Sequence, residues 1–103
     1  MKQYDKLVRD RIPEIIEGSG KTCTTRILPQ EEYLQKLDEK LCEELDEYQQ
    51  SKSLEELADL LEVMEAVVKA RGYTLEQLYA IRDEKKAKRG GFDDRILLCQ
   101  VSE

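Results

Sequence analysis

Hydrophobic residues recur every three or four positions along most of the chain, which is the period of a helix that packs on one face. The clearest run extends from Gln30 to Gln50, where leucines and one tyrosine keep this spacing. A second run follows Ser53 and stops at Arg71-Gly72, and a third extends from Thr74 to Gly90-Gly91. Three long amphipathic helices are therefore predicted.

Capping residues mark the starts of the second and third helices. Ser53 with Glu56, and Thr74 with Gln77, have the spacing of a capping box, in which the two side chains satisfy each other's backbone N–H groups. Only the short interruption Ser51-Lys52-Ser53 separates the first two long helices. A connection this short favours antiparallel packing of the helices that it joins.

The amino-terminal region predicts a shorter helix. Apolar residues between Tyr4 and Ile16 have a partly helical spacing, Asp10 can cap the helix, and Pro13 is tolerated in its first turn. The segment Gly18-Ser19-Gly20 is a clear break after it. The chain would then hold about four helices.

Two segments favour strands instead. Thr22 to Leu28 and Arg95 to Val101 are short and rich in residues with a preference for extended backbone, so they predict a small strand pair. The predicted fold class is thus mainly α, a bundle of about four helices with a minor strand pair, and residues 1–103 form a single domain.

Composition adds an expectation about assembly. A chain of 103 residues that is 40% hydrophobic, with one Phe and no Trp, forms a thin aliphatic core. We therefore expect a homodimer or homotetramer that buries helix faces between copies. The net charge is −6 and the pI is about 4.8, which makes a nucleic acid polymer a poor partner. Small anions held by a metal or by local bases remain possible partners.

Three features concern cellular location. The amino terminus is too charged for a secretory signal, and no apolar run reaches the length of a membrane span. The three cysteines, Cys23, Cys42 and Cys99, form no CxxC motif, and an odd number excludes complete pairing within one chain. We expect reduced thiols in a cytoplasmic protein that has no membrane partner.

Two classes of chemistry are excluded by what the chain lacks. There is no histidine, which removes imidazole metal ligands and every catalytic triad built on histidine. The segment GSGKT resembles the end of a phosphate-binding P-loop, but that motif requires a glycine where Ile15 stands.

Two carboxylate pairs are the strongest candidate for chemistry. Glu44 with Glu47, and Glu56 with Asp59, are each three residues apart and so share a helix face. Glu56 and Asp59 border the apolar face of their helix, and Glu44 flanks that of the preceding helix; partial burial of a charge there is costly unless it is paired or bound to a metal. Oxygen ligands without histidine or cysteine select Mg²⁺, with Mn²⁺ possible.

Plainer interpretations of the same acids exist. Runs of charge usually solvate helix surfaces, and 23 acidic residues produce such pairs by chance. Glu56 has a competing role as the capping-box partner of Ser53.

The basic residues also have two interpretations. Lys85 and Arg89 share a helix face, with Lys88 beside them, before Gly90-Gly91. They would bind phosphates, or they would interact favourably with the dipole at the carboxyl end of the helix. Lys6, Arg9 and Arg11 form a second cluster, whose role is either phosphate contact or a solvated, ion-paired surface.

Three blocks of the sequence carry a resemblance to a known family. Glu43-Glu44-Leu-Asp-Glu47 and Glu56-Leu-Ala-Asp59 resemble the EExxE and ExxD signature of the MazG-like all-α nucleotide pyrophosphohydrolases, which include phosphoribosyl-ATP pyrophosphohydrolase. KLVRDRIPEII at Lys6 to Ile16 and KAKRGGFDDRILL at Lys86 to Leu98 resemble the ends of a small house-cleaning branch of that superfamily.

The resemblance implies a MazG-like helical bundle that cleaves nucleoside triphosphates with Mg²⁺ between the α and β phosphates. It implies active sites near subunit contacts. It also implies residue roles: metal ligation and catalysis by Glu44, Glu47, Glu56 and Asp59, and substrate binding by Lys85, Arg89 and Arg9.

Two alternatives remain open. The same chemistry could act on phosphoribosyl-ATP in histidine biosynthesis, or the chain could be a helical interaction module without turnover. Only eight residues separate Glu47 from Glu56, a shorter spacer than in larger members of the family, so the sequence does not predict the preferred base.

Overall fold

The computed structural model describes residues 3–102 and contains four helices. They are α1 (Ile12–Gly18), α2 (Gln30–Ser51), α3 (Leu54–Ala70) and α4 (Leu75–Arg89). The mainly helical prediction is confirmed, and the three long helices begin and end within a few residues of the predicted positions. Among residues 3–102, no helix has both the length and the apolar run needed to cross a lipid bilayer.

Helices α2 and α3 form an antiparallel hairpin. They pack along each other, and only Lys52 and Ser53 separate them. At the far end of the hairpin the Gln30 side chain, at the start of α2, donates to the Ala70 carbonyl, at the end of α3, over 2.9 Å. The Arg71–Asp38 ion pair at 3.1 Å lies near the same end. The hairpin is the most extensively packed part of the described fold and positions the candidate site.

The start of α4 confirms the second predicted capping box. Thr74 accepts from the Gln77 backbone N–H at 3.1 Å, and the Gln77 side chain accepts from the Thr74 backbone N–H at 2.8 Å. The box fixes where α4 begins, after a turn that includes Gly72 at a φ of 89°. Helix α4 packs against α3 over a short stretch.

The amino-terminal helix is short, as predicted, but the predicted capping residue is wrong. It begins at Ile12 and Arg11 occupies the capping position without a side-chain hydrogen bond, so Asp10 does not cap it. Pro13 does lie in the first turn. Residues 3–9 have no regular secondary structure, and within residues 3–102 α1 does not pack against the other three helices.

The predicted strand pair is wrong for the chain as described. No β-strand forms within residues 3–102, and both segments run without regular structure. Thr22 to Leu28 joins α1 to α2, whereas Arg95 to Val101 extends beyond α4, and the two are not paired. Ile27 and Ile96 are 95% and 83% exposed. Residue preference alone cannot stabilise an isolated two-stranded ribbon in water.

The core is thin, as the composition predicted. Leu37, at 3% exposure, is the only buried hydrophobic residue among those described. The accessible surface is 9544 Å², against about 6,000 Å² for a compact monomer of this mass. The radius of gyration is 18.4 Å, against about 13 Å for a compact domain of 100 residues. Leu57, Leu61 and Met64 form an exposed apolar stripe on α3.

Candidate metal centre

Three carboxylates from the two hairpin helices converge on one point. Glu44 on α2 and Glu56 and Asp59 on α3 each offer an oxygen, and these oxygens all lie within 4.8 Å of one another. Helical periodicity places Glu56 and Asp59 on one face of α3, and the antiparallel packing turns that face toward Glu44. The spacing along each helix therefore brings the three carboxylates together only because α2 and α3 pack against each other. We call these residues, with Glu47, the acid cluster.

Glu44 is the most buried member of the acid cluster. It is 6% exposed, and its Oε2 atom lies inside the protein without a hydrogen-bond partner. The Oε1 atom faces Lys40 Nζ at 3.5 Å. The Oε2 atom of Glu56 is also buried and unpartnered. Buried carboxylate oxygens almost always have a partner, so two such oxygens in one place are unusual and make the cluster a candidate cation site.

Burial and like charges make this cluster costly to ionise. Burial is the main factor that raises the pKa of Glu44 above its ordinary value, and the neighbouring charges of Glu47 and Asp59 raise it further. The pKa of Glu56 is raised by burial first, and then by hydrogen bonding to Glu47 and the charge of that residue. A cation among these oxygens would lower both pKa values by favouring the charged forms.

The capping interaction of Glu56 is only half formed, which frees its carboxylate. The backbone N–H of Glu56 donates to Ser53 Oγ at 3.3 Å. The reciprocal bond is absent, because the Ser53 backbone N–H donates instead to Ser51 Oγ at 3.2 Å. The alternative interpretation of Glu56 as a capping-box side chain is therefore wrong. Ser53 fixes the backbone at Glu56, and the side chain of Glu56 faces the acid cluster.

Glu47 has a less direct position. Its charge acts on both Glu44 and Glu56, so it lies beside them, but it is exposed and does not join the closely spaced group of three oxygens. Three of the four predicted ligands thus form the compact group, and Glu47 borders it.

Two basic side chains contact the acid cluster directly. Arg9 Nη2 lies 2.6 Å from Asp59 Oδ1, so the predicted substrate-binding arginine is held by a predicted metal ligand. Lys40 bridges Glu44 and Glu43, at 3.5 Å from each. Lys40 was not predicted, although it stands four residues before Glu44, a spacing that places both on one helix face.

The other predicted substrate-binding residues lie apart from the acid cluster. Lys85 and Arg89 line a shallow groove that α4 alone forms, together with Ile81, Glu84 and Lys88. Lys88 pairs with Glu84 at 2.9 Å on the same helix. None of the four acids lines this groove, so the described chain does not bring the predicted phosphate ligands on α4 to the predicted metal ligands.

The donor set fits a hard divalent cation. It supplies carboxylate oxygens only, and two of them are buried without a partner. Mg²⁺ and Mn²⁺ prefer such oxygen ligands, and Mg²⁺ keeps several positions for water or substrate phosphates. Cysteine plays no part, since all three thiols are free and two, Cys42 and Cys99, are exposed.

Comparison with known proteins yields one partial similarity. A protein of Mycolicibacterium smegmatis (strain ATCC 700084 / mc(2)155), described as uncharacterized, is 55% identical over 42 residues. That stretch covers 41% of this chain and 43% of the relative, so the match spans less than half of either protein. No model of a protein family matches the chain, and no solved structure matches it significantly.

Proposed function

We propose that the protein is a Mg²⁺-dependent nucleoside triphosphate pyrophosphohydrolase that cleaves the α–β phosphoanhydride and releases a nucleoside monophosphate and pyrophosphate. The observation that carries the proposal is the convergence of Glu44, Glu56 and Asp59 at the closed face of the hairpin, with Glu44 buried and one of its oxygens unpartnered. The sequence resemblance to MazG-like enzymes supports the same activity.

The residues of the acid cluster would have two roles, cation binding and orientation of the attacking water. Glu44, Glu56 and Asp59 would hold the cation, and Glu47, exposed at the border, would complete the set and orient the attacking water. When bound, Mg²⁺ would neutralise charge on the phosphoryl oxygens and lower the pKa of a bound water. Arg9 would supply a guanidinium for a substrate phosphate, since its planar set of donors suits phosphate oxygens.

We also propose that the enzyme works as a homo-oligomer. The accessible surface exceeds that of a compact monomer by more than half, and the stripe of Leu57, Leu61 and Met64 is open on α3. A second hairpin laid on this stripe would build a four-helix bundle. The basic groove of α4, with Lys85 and Arg89, would then serve an acid cluster of a neighbouring copy.

A panel of canonical and non-canonical nucleoside triphosphates tests the activity. With Mg²⁺, we expect release of pyrophosphate, and not of inorganic phosphate, from at least one nucleotide. Turnover of phosphoribosyl-ATP alone would replace the proposal with the biosynthetic activity. Absence of turnover, together with no shift of the melting temperature on addition of Mg²⁺ or Mn²⁺, would favour a helical interaction module.

Light scattering after size-exclusion chromatography tests the assembly. The wild-type chain is expected at twice or four times the mass of one chain, and Leu61→Glu is expected to shift it toward one. Leu54, which is exposed at the start of α3 and outside the stripe, provides the matched control Leu54→Glu. A wild-type protein at the mass of a single chain would contradict the oligomer proposal without affecting the metal site.

A further inference from the structure

The amino-terminal arm, which we define as residues 3–11, lies across the hairpin next to the acid cluster. Its polar contacts with the two helices include three that place it beside the acid cluster. Lys36 Nζ on α2 donates to the Asp5 carbonyl at 3.5 Å, Lys6 Nζ pairs with Glu43 on α2 at 3.4 Å, and Arg9 pairs with Asp59 on α3. The arm thus connects α2 to α3 through side chains of opposite charge.

These contacts are weak compared with the packing of the hairpin. Residues 3–9 have no regular secondary structure, and α1, which follows the arm, does not pack against the other described helices. Both members of the Arg9–Asp59 pair are partly exposed, with 57% and 39% of their side chains accessible. Exposed ion pairs contribute little to stability. The Arg9–Asp59 pair therefore contributes only a small free energy to holding the arm on the hairpin.

Arg9 contacts a carboxylate, that of Asp59, for which a bound cation would compete. Its guanidinium lies 2.6 Å from a carboxylate oxygen of Asp59, and Asp59 is one of the three residues whose oxygens converge. The guanidinium and a divalent cation would neutralise the same charge and would repel each other over a short distance. Binding of the two at Asp59 is therefore antagonistic.

We propose that Arg9 is a tethered competitor of the divalent cation, which pairs with Asp59 until a cation enters and then turns to the substrate phosphate. The second half of this proposal rests on the proposed function. A guanidinium released from Asp59 remains beside the acid cluster because the chain anchors it there, and its fork of N–H donors suits phosphate oxygens. The arm would thus couple cation binding to substrate binding.

A different role for Arg9 predicts the opposite effect. If Arg9 stayed on one oxygen of Asp59 and oriented the other toward the cation, it would support cation binding, as outer partners of metal ligands do. The sign of the change in cation affinity after removal of the guanidinium separates the two roles.

Calorimetric titration of Mg²⁺ and Mn²⁺ into the protein without nucleotide measures whether cation affinity rises or falls in the variant. Arg9→Ala is expected to bind either cation about fivefold more tightly than the wild type, the ratio typical of an exposed ion pair. Arg11→Ala is the matched control, because Arg11 pairs with Glu14 on α1 at 3.2 Å and not with the acid cluster. It should bind cations as the wild type does.

Weaker or unchanged cation binding by Arg9→Ala would overturn the proposal. So would a wild-type protein and an Arg9→Ala variant that both bind no cation, an outcome that would also remove the proposed metal site. Cation binding that tightens in Arg9→Ala while no nucleotide is hydrolysed would contradict the proposed function and leave the competition at Asp59 standing.

Limited trypsin cleavage after Lys6 provides a readout independent of affinity. In the wild type, addition of Mg²⁺ should accelerate this cleavage, because it releases the arm. In Arg9→Ala the cleavage should already be fast without Mg²⁺. If Mg²⁺ slows the cleavage or leaves it unchanged in the wild type, the arm does not respond as proposed.

Nucleotide kinetics test the second half of the proposal. Arg9→Ala is expected to need less Mg²⁺ for half-maximal rate and to show a higher KM for the nucleotide. An unchanged KM would mean that Arg9 does not reach the phosphate.

Discussion

The α2–α3 hairpin brings charges of one sign together from two helices, whereas the basic end of α4 displays charges of the other sign along one helix. In the hairpin, Glu44 and Glu56 are partly desolvated and their pKa values are raised. On α4, Lys88 finds Glu84 one turn away, and Lys85 and Arg89 are exposed. A single solvated helix can balance its own charges, whereas the acids that face each other across the hairpin are only partly paired. Lys40 and Arg9 contact them, and one oxygen each of Glu44 and Glu56 has no partner.

The difference between the two regions lies in the burial of the charged groups and not in their number. A carboxylate that borders a packed interface cannot turn into water without losing helix contacts, so it keeps its unfavourable position. A lysine at the end of α4 meets no such constraint. Burial therefore makes Glu44 and Glu56 costly to ionise, whereas Lys85 and Arg89 remain exposed to solvent.

The largest expected effect follows from neutralising the buried acid. Glu44→Gln should weaken Mg²⁺ binding at least about 100-fold, more than the loss of an outer partner usually does. Without cation, the same variant should melt a few degrees higher than the wild type, since it removes a buried charge among like charges. Calorimetry and thermal melts measure both effects.

The matched control for that variant is Glu62→Gln, because Glu62 is exposed on the same hairpin. It should change neither cation affinity nor melting temperature appreciably. Equal effects of the two variants would mean that the acid cluster is ordinary surface charge.

The second prediction concerns pH. The pKa values of Glu44 and Glu56 are raised above the ordinary 4.5, so the folded state binds their protons more tightly than the unfolded state does. Their contribution to stability is fully present below pH 4.5 and is lost as the pH rises through the raised pKa values. Mg²⁺ affinity should change in the opposite direction and fall as the pH drops, by about tenfold per unit for each proton displaced.

Melting temperatures of the wild type and of Glu44→Gln, measured without cation from neutral pH to about pH 5, isolate this effect from other titrating groups. The difference between the two proteins should shrink as the pH falls. A difference that stays constant over that range would show that Glu44 does not titrate there.

The third prediction addresses the basic end of α4. A Lys85→Ala/Arg89→Ala double variant should leave Mg²⁺ affinity unchanged and raise the KM for the nucleotide about fivefold, the scale of exposed charge pairs. Steady-state kinetics at saturating Mg²⁺ measure it. Lys69 lies in the last turn of α3, where a basic side chain interacts with the helix dipole, so Lys69→Ala is the control. If both variants behave alike, the basic end of α4 has no substrate role.

The smallest expected effect compares the caps of the two helices. Ser53→Ala and Thr74→Ala should each lower the free energy of unfolding by about 1 kcal/mol. Only Ser53→Ala should also weaken Mg²⁺ binding, by about two- to threefold, because Ser53 holds the backbone from which Glu56 extends. Denaturant unfolding and calorimetry measure the two quantities. Loss of cation affinity in Thr74→Ala would show that the caps act on the site indirectly.

Much of the fold was predictable because it depends on local chemistry. Period and capping residues placed α2, α3 and α4, and the complete box of Thr74 and Gln77 formed as predicted. The strand prediction failed because a strand needs a partner at a definite position, which residue preference cannot supply. Asp10 failed as a cap because Arg11 occupies the capping position, so the helix begins one residue later than predicted, at Ile12.

The candidate site was predictable in its residue types and less so in its contacts. Spacing along two helix faces indicated Glu44, Glu56 and Asp59, and the same spacing could have indicated Lys40. No local pattern indicated that Arg9 would pair with Asp59, which lies 50 residues away. No local pattern indicated either that Lys85 and Arg89 would line a groove separate from the acid cluster.

The sequence by itself determined which residues form the three long helices and which acids share a face, because these depend on neighbours within a few positions. Tertiary structure alone decided that Glu44 is buried and that the amino-terminal arm reaches the acid cluster. Those outcomes depend on which surfaces meet when the hairpin closes, and distance along the chain carries no information about that meeting.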